Sequence, residues 1–243
     1  MKSWGKSPKV VHPGLDYYLI NLQSRPDRLA DARRMFQNLD AGFHRVEAID
    51  ANSLRDTNPF LSRPAEACYR SHMEAIKKIA AGTKNFGIIV EDDFEITNVK
   101  ALHRQLDDVF DIDFDILQIG WLNNMLLDKI LIKLQDWEAD FFHALYLASK
   151  KNNYLKKKIG HRLRVVRNGS EYRRDFVTDN FKSGCHFYVI SKNFAKLISD
   201  SNIEPIMPID NLFATLSASR KFRILRTRKS YVTQSDSVSS IKV

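Results

Sequence analysis

Polar and apolar positions repeat with two different periods along the chain, and the changes between them predict strands alternating with helices. Tyr17 to Leu22 (Y-Y-L-I-N-L) is apolar except for Asn21 near its end and reads as a strand. After the turn Q-S-R-P-D-R, Leu29, Ala32, Phe36 and Leu39 recur at helical spacing. Pro26 suits the first turn of that helix, and Asp27 complements its positive end. Ala41-Gly42 closes it, and Phe43 to Ile49 reads as a second strand ending at Asp50, before the polar loop A-N-S-L-R-D-T-N-P. Strand, helix, strand is a βαβ unit. Ligands of such sheets sit beyond the carboxyl ends of the strands, which here offer Asn21, Arg25, Arg28 and Asp50. A solvated helix start is the alternative reading for the two arginines. A second amphipathic helix, started by Pro64 and stopped by Gly82, carries Ala65, Cys68, His72, Ala75 and Ile79 on one apolar stripe. His72 therefore reads either as a hydrogen-bonded core histidine or as a site residue that the helix presents.

The next stretch, Gly87 to Glu95 (G-I-I-V-E-D-D-F-E), organises the rest. Ile88, Ile89 and Val90 have no polar residue between them, as in a strand buried on both faces of a sheet covered by helices. The run then ends in three consecutive carboxylates. Neighbouring acids repel by about 1 kcal/mol or more per pair, so folding does not recommend them. A divalent cation does, because carboxylate oxygens are the ligands Mg²⁺ and Mn²⁺ prefer, commonly shared with a substrate's phosphates. Extended geometry past Val90 would point Glu91 and Asp93 to one side and Asp92 to the other, giving one direct ligand with helpers. A solvated acidic loop is the alternative.

Composition narrows the class. At 243 residues with 44% hydrophobic content, the chain reads as one α/β domain with appended pieces. The first fourteen residues contain no apolar signal-like region, and no window approaches eighteen apolar residues in a row, so neither export nor a membrane span is expected. Cys68 and Cys185 lack metal-ligand spacing and read as buried reduced thiols, consistent with a cytoplasmic setting. The net charge of +9 is concentrated: ten Lys or Arg between Lys150 and Arg174, and six between Arg220 and Lys229. Such stretches suit an anionic membrane face, nucleic acid, or plain solvation beside an acidic centre. Aromatic residues are thin in them and no nucleic-acid module is recognisable, so no nucleic-acid partner is expected.

Eight pieces in order carry a resemblance: I-N-L-x-x-R-x-D-R (Ile20 to Arg28), E-A-I-D (Glu47 to Asp50), L-S-x-x-x-E-x-C-x-x-S-H (Leu61 to His72), I-I-V-E-D-D (Ile88 to Asp93), F-D-I-L-Q-I-G (Phe114 to Gly120), H-F-Y-V-I-S (His186 to Ser191), P-I-D-N-L-F (Pro208 to Phe213) and the terminal Q-S-D-S-V-S-S-I. Together they resemble glycosyltransferase family 25, which includes bacterial lipooligosaccharide and collagen galactosyltransferases. The resemblance implies an α/β fold of GT-A type, a Rossmann-like nucleotide-sugar-binding domain with a mixed central sheet. It implies transfer of a hexose, most commonly galactose, from a UDP-sugar with Mn²⁺ or Mg²⁺ to a saccharide or lipid-linked glycan acceptor. E-D-D at 91 to 93 is similar to the family's D-x-D-like motif. By that likeness Asp93 is the first metal ligand with Glu91 beside it, while Asn21, Arg25, Arg28, Asp50, His72, Glu91 and Asp92 hold the nucleotide-sugar.

The chain also departs from the pattern. P-A-E-A-C-Y-R stands where the family commonly has G-E-I-G-C, and nothing between Trp121 and Phe181 matches. The expected organisation is a nucleotide-sugar half at 15–120, a variable acceptor-side insertion at 121–180 with a helical pattern around Leu126 to Leu147, and a catalytic and acceptor half at 181–243. No histidine follows Asp210, so Gln234, Ser235 or Asp236 would supply any third protein ligand. Inverting transfer needs a base for the acceptor hydroxyl, and Asp210 is the candidate, its apolar approach favouring a raised pKa. Capping of the helix Asn211 to Ser219 is its alternative role. Two further functions stay open: a family member that binds without turnover, and a basic nucleic-acid or phosphate binder.

Overall fold

The computed structural model describes residues 14–55, 58–121, 137, 141, 167–168, 171–172, 176–178, 181, 184–219 and 221–235. Among them the chain runs β1 (Leu15–Asn21), α1 (Pro26–Asn38), β2 (His44–Glu47), a 3₁₀ turn at Ala51–Ser53, α2 (Arg63–Ala81), β3 (Phe86–Glu91), β4 (Phe94–Ile96) and α3 (Val99–Asp107). A second 3₁₀ turn at Asp108–Asp111 leads to β5 (Ile116–Gly120), followed by the short β6 (Arg167–Asn168), β7 (Glu171–Tyr172) and β8 (Phe176–Thr178). The chain continues through β9 (Phe187–Ser191), α4 (Lys192–Asp200), α5 (Ile209–Ala218), β10 (Ile224–Thr227) and β11 (Val232–Gln234).

Seven strands form one sheet in the order β2-β1-β3-β9-β5-β10-β8. β1 runs parallel to both β2 and β3, whereas β9 is antiparallel to β3 and to β5, so the sheet is mixed. Strands from 15–120 and from 181–243 interleave in it. Side-chain alternation along β1 sends Tyr17 and Leu19 to one face, against Phe36 of α1 and Leu102 of α3. Tyr18 and Ile20 go to the other face, against Ile76 of α2, Phe194 of α4 and Phe213 of α5. Ile88, Ile89 and Val90 of β3 are fully buried. Each contributes about 1.5–3 kcal/mol relative to exposure, which is what anchors the acidic strand end.

Two features of this packing aim the site. β1 has β2 on one side and β3 on the other, and the connecting helices α1 and α2 cover opposite faces, so the carboxyl ends of β1 and β3 flank a switch point. α2 also lies tight on β3: a Cβ at Gly87 would meet the Ile79 side chain at 2.5 Å. Glycine there lets the helix approach and sets the reach of its side chains toward Glu91.

The structure corrects two expectations. Extended geometry stops at Glu91, the last residue of β3, and a turn at Asp92 and Asp93 leads into β4. β4 pairs antiparallel with β11, and the Asp93 carbonyl accepts from Ser235 N at 2.6 Å. That pairing, reached from 140 residues further along the chain, pulls the acids out of strand alternation. Asp210 does not cap its helix either, because α5 begins at Ile209 after Pro208 and has no side-chain cap. The Asp210 carboxylate instead accepts from Gly184 N at 2.8 Å, and Gly184 has φ 99°, a conformation that favours glycine.

Both cysteines are free thiols. In the second basic stretch, Arg226 is fully buried with its guanidinium 5.5 Å from the centre of the Trp121 ring, and Arg223 pairs with Asp113. The helical pattern around 126–147 apart from Trp137 and Phe141, almost all of the basic stretch at 150–174, and Asp236 lie outside the described residues. Among the described residues no helix is long and apolar enough to cross a membrane.

Candidate active site

The end of β1 supplies Asn21, which is 1% exposed. Its Nδ2 donates to the Arg25 carbonyl at 3.1 Å and to Asp92 Oδ2 at 2.7 Å. From the first turn of α1, Arg28 donates through one guanidinium nitrogen to Asp92 Oδ1 at 3.2 Å, and the same nitrogen lies 3.5 Å from Asp93 Oδ2. Arg28 thus stands between two carboxylates from the turn after β3. The turn explains why both reach it, since strand alternation would have sent one of them away.

Asp93 is only half satisfied. Its Oδ2 accepts from Gln234 Nε2 at 2.8 Å, while its buried Oδ1 has no hydrogen-bond partner. Burial first, and then the charge of Glu91, push its carboxyl up to about 6, against the pull of Gln234 and Arg28. Burial likewise raises Asp92, opposed by the hydrogen bond from Asn21 and by Arg28. Glu91 goes the other way: burial pushes it up, but the hydrogen bond to His72 and the charges of His72, His186 and Arg28 outweigh that and leave it lowered.

His72 reaches the same carboxylate from α2. Nε2 lies 3.1 Å from Glu91 Oε1, and Nδ1 lies 3.1 Å from the Tyr188 hydroxyl on β9. It is therefore both a buried member of the apolar stripe and a wall of the site. Its neighbour Ser71 accepts from Ile49 N at 2.9 Å and donates to the Ala67 carbonyl at 2.7 Å, tying the loop after β2 to α2. In that loop Asp50 accepts from Asn52 N at 2.8 Å, which fixes the 3₁₀ turn. At the rim, Arg25 chelates Asp27 with contacts of 3.0 and 2.7 Å and holds that carboxyl at about 2.

These groups surround a cleft of about 320 Å³. Asn21, Arg25, Arg28, Asp50, His72, Glu91, Asp92 and Asp93 all line it. Asp210 does not; it lies at the start of α5, where it adds to the burial that raises the Cys185 thiol. Tyr188 and Ser71 hold the site together; Tyr188 escaped the sequence reading, and Ser71 entered it only as a motif position beside His72. A signal for Tyr188 exists, because a tyrosine in an otherwise apolar central strand needs a partner for its hydroxyl. Gln234, considered above as a metal ligand, donates its amide to Asp93.

The donor set suits a hard divalent ion. Two carboxylates of like charge sit side by side, and the unpartnered buried oxygen of Asp93 has the character of a metal ligand. A polar cleft at the carboxyl ends of parallel strands is where α/β enzymes bind their ligands. The class of enzyme follows from the sequence: the chain belongs to glycosyltransferase family 25, described as an LPS biosynthesis protein family, whose model matches residues 15–213. It is accordingly a glycosyltransferase. No curated protein matches it. Among solved structures, A197 from STIV is similar over 90% of this chain and 82% of that chain, at 12% identity and a TM-score of 0.34.

His72→Ala is expected to lower both stability and donor binding. It strands the Tyr188 hydroxyl and one Glu91 oxygen, a cost of about 1–3 kcal/mol, and frees Glu91 to move. Melting temperature and UDP affinity measured on the same variant check this. Unchanged affinity alongside a clear loss of stability would leave His72 a core residue only.

Proposed function

We propose that the cleft binds a UDP-hexose together with Mn²⁺ or Mg²⁺ in a GT-A type fold, and that the enzyme transfers the hexose, with inversion, to a saccharide or lipid-linked glycan. The observation that carries this reading is Asp93, a buried carboxylate beside Glu91 with one oxygen unpartnered, at the end of the central strand β3. Asp93 and Glu91 would hold the ion. When bound, that ion supplies positive charge to the diphosphate leaving group as a Lewis acid. The GT-A type is supported by the βαβ unit of β1, α1 and β2 and by the acidic turn at the β1/β3 switch point. Galactose comes from the family resemblance alone.

The chain's own residues then have definite tasks. Arg28 and Asn21 orient the Asp92 carboxylate, which faces the cleft as an acceptor for ribose or metal-bound water. Arg25 at the rim places a cation where phosphates would enter, and Asp50 fixes the opposite loop. In the transfer, the acceptor oxygen bonds to the anomeric carbon, the bond from that carbon to the UDP oxygen breaks, and the acceptor's proton passes to Asp210. Support for Asp210 is its half-buried place at the start of α5, a helix whose Leu212 and Phe213 share a core with Ile76 of α2. An acceptor entering from the α5 side would meet it.

The test is a screen of UDP-sugars for hydrolysis with Mn²⁺ and with chelator. UDP-galactose should be consumed fastest, and only with metal. Equal turnover in chelator defeats the metal assignment, and consumption of another sugar alone defeats galactose.

Contact with an anionic membrane face rests on the basic stretch at 150–174, because burial of Arg226 and pairing of Arg223 withdraw charge from the second stretch. Each basic side chain at such a surface contributes about 1 kcal/mol. Cosedimentation at low salt should favour anionic over neutral vesicles, and equal binding to both removes this contact.

A further inference from the structure

One turn of α2 separates Cys68 from His72 on the same face, and β3 brings Glu91 against both. The Cys68 sulfur, a His72 ring nitrogen and a Glu91 oxygen all lie within 4.8 Å of one another. All three residues line the cleft. Zn²⁺ binds sulfur, nitrogen and oxygen at about 2.0–2.3 Å, which places tetrahedral ligand atoms about 3.3–3.7 Å apart. Here Nε2 and Oε1 are already at 3.1 Å, and the sulfur has about 1 Å to close to reach tetrahedral spacing. An outer support is also in place: Glu91 accepts from Nε2–H in the metal-free site, and with a metal on Nε2 the ring would carry its proton on Nδ1, 3.1 Å from the Tyr188 hydroxyl that can accept it. This set differs in kind from the paired carboxylates of Glu91 and Asp93, because thiolate and imidazole favour Zn²⁺ over Mg²⁺ or Mn²⁺.

We infer that Cys68, His72 and Glu91 form a Zn²⁺ site in the wall of the cleft, separate from the Asp93 oxygens but sharing Glu91 with them. Binding releases the thiol proton to solvent and leaves a fourth position for water. On the reading of this cleft as the donor site, a further consequence is that Zn²⁺ inhibits transfer, because it takes Glu91 away from the hard ion.

Co²⁺ added to the metal-free protein is the direct probe. The wild type should bind Co²⁺ with a thiolate-to-metal charge-transfer band, and Zn²⁺ should abolish the band by displacement. Cys68→Ser should lose the band and weaken Zn²⁺ binding by more than about 100-fold, beyond what loss of an outer support costs. Cys185→Ser should keep both. Absence of the band in the wild type, or its survival in Cys68→Ser, overturns the site. Should Cys68→Ser fail to fold, the wild type still decides: Zn²⁺ must slow modification of the Cys68 thiol, located by peptide mapping, by tenfold or more, and an unchanged rate overturns the site. None of the spectroscopic or thiol readouts uses a UDP-sugar, so their failure is distinct from failure of the donor-site reading.

Discussion

Asp93→Asn is expected to cut sugar transfer by about 10²–10³-fold or more, the scale on which loss of one electrostatic stabiliser acts, while the protein stays folded. Asparagine keeps the shape and can still accept from Gln234, whose amide lies 2.8 Å from Asp93 Oδ2. What disappears is the negative charge that would hold the ion. The same substitution has a second signature in chelator. The folded carboxyl sits at about 6 against an ordinary 3.8, so between those values the folded state holds a proton that the unfolded state has released. Stability therefore falls as pH rises through that window, by on the order of 3 kcal/mol from this group, and Asp93→Asn removes that part of the fall. At neutral pH the metal-free variant should be the more stable protein. Denaturant midpoints at acid and neutral pH check this, and a variant that is both fully active and less stable contradicts the role given to Asp93.

Arg28→Met has the largest expected effect on stability. The guanidinium touches Asp92 at 3.2 Å and Asp93 at 3.5 Å, and the three side chains are only 8%, 10% and 6% exposed. Removing one partner of such a buried group leaves uncompensated charge, at about 3–5 kcal/mol. Methionine retains much of the aliphatic volume, so the loss reports the charge rather than a cavity. Asp92→Asn in the same chain should recover part of it, because one of the two stranded carboxylates is then neutral. Urea unfolding of the two single variants and the double variant measures the coupling directly. A loss under about 1 kcal/mol, the worth of an exposed pair, would contradict the buried arrangement.

Much of this fold was legible because local signals agreed with one another. Pro26 starts α1, Pro64 lies in the first turn of α2, Gly82 ends α2, and the unbroken apolar run Ile88 to Val90 is the buried centre of β3. All eight cleft residues expected from strand ends, the second helix and the acidic triplet come together in one place. What escaped depended on partners distant in sequence. Strand alternation misplaced the acids because β11, far down the chain, pairs with β4 and turns the chain at Asp92 and Asp93. Asp210 looked like a helix cap because nothing local reveals that Gly184 donates to it. Tyr188 belonged to an apolar strand pattern, and only the approach of α2 to β9 shows that its hydroxyl serves His72. The second basic stretch counted as surface charge until β10 turned Arg226 inward over Trp121.

The account rests on metal-dependent binding of a UDP-sugar in the cleft between β1 and β3, and thermal unfolding with UDP tests it most directly. With Mn²⁺ present and UDP at 100 times its dissociation constant, the folded state gains about 2.7 kcal/mol and the melting temperature rises accordingly. UDP alone and Mn²⁺ alone should change it little, and Asp93→Asn should show no joint effect. An equal rise with UDP in chelator, or no rise with UDP and Mn²⁺ together, would contradict the central claim.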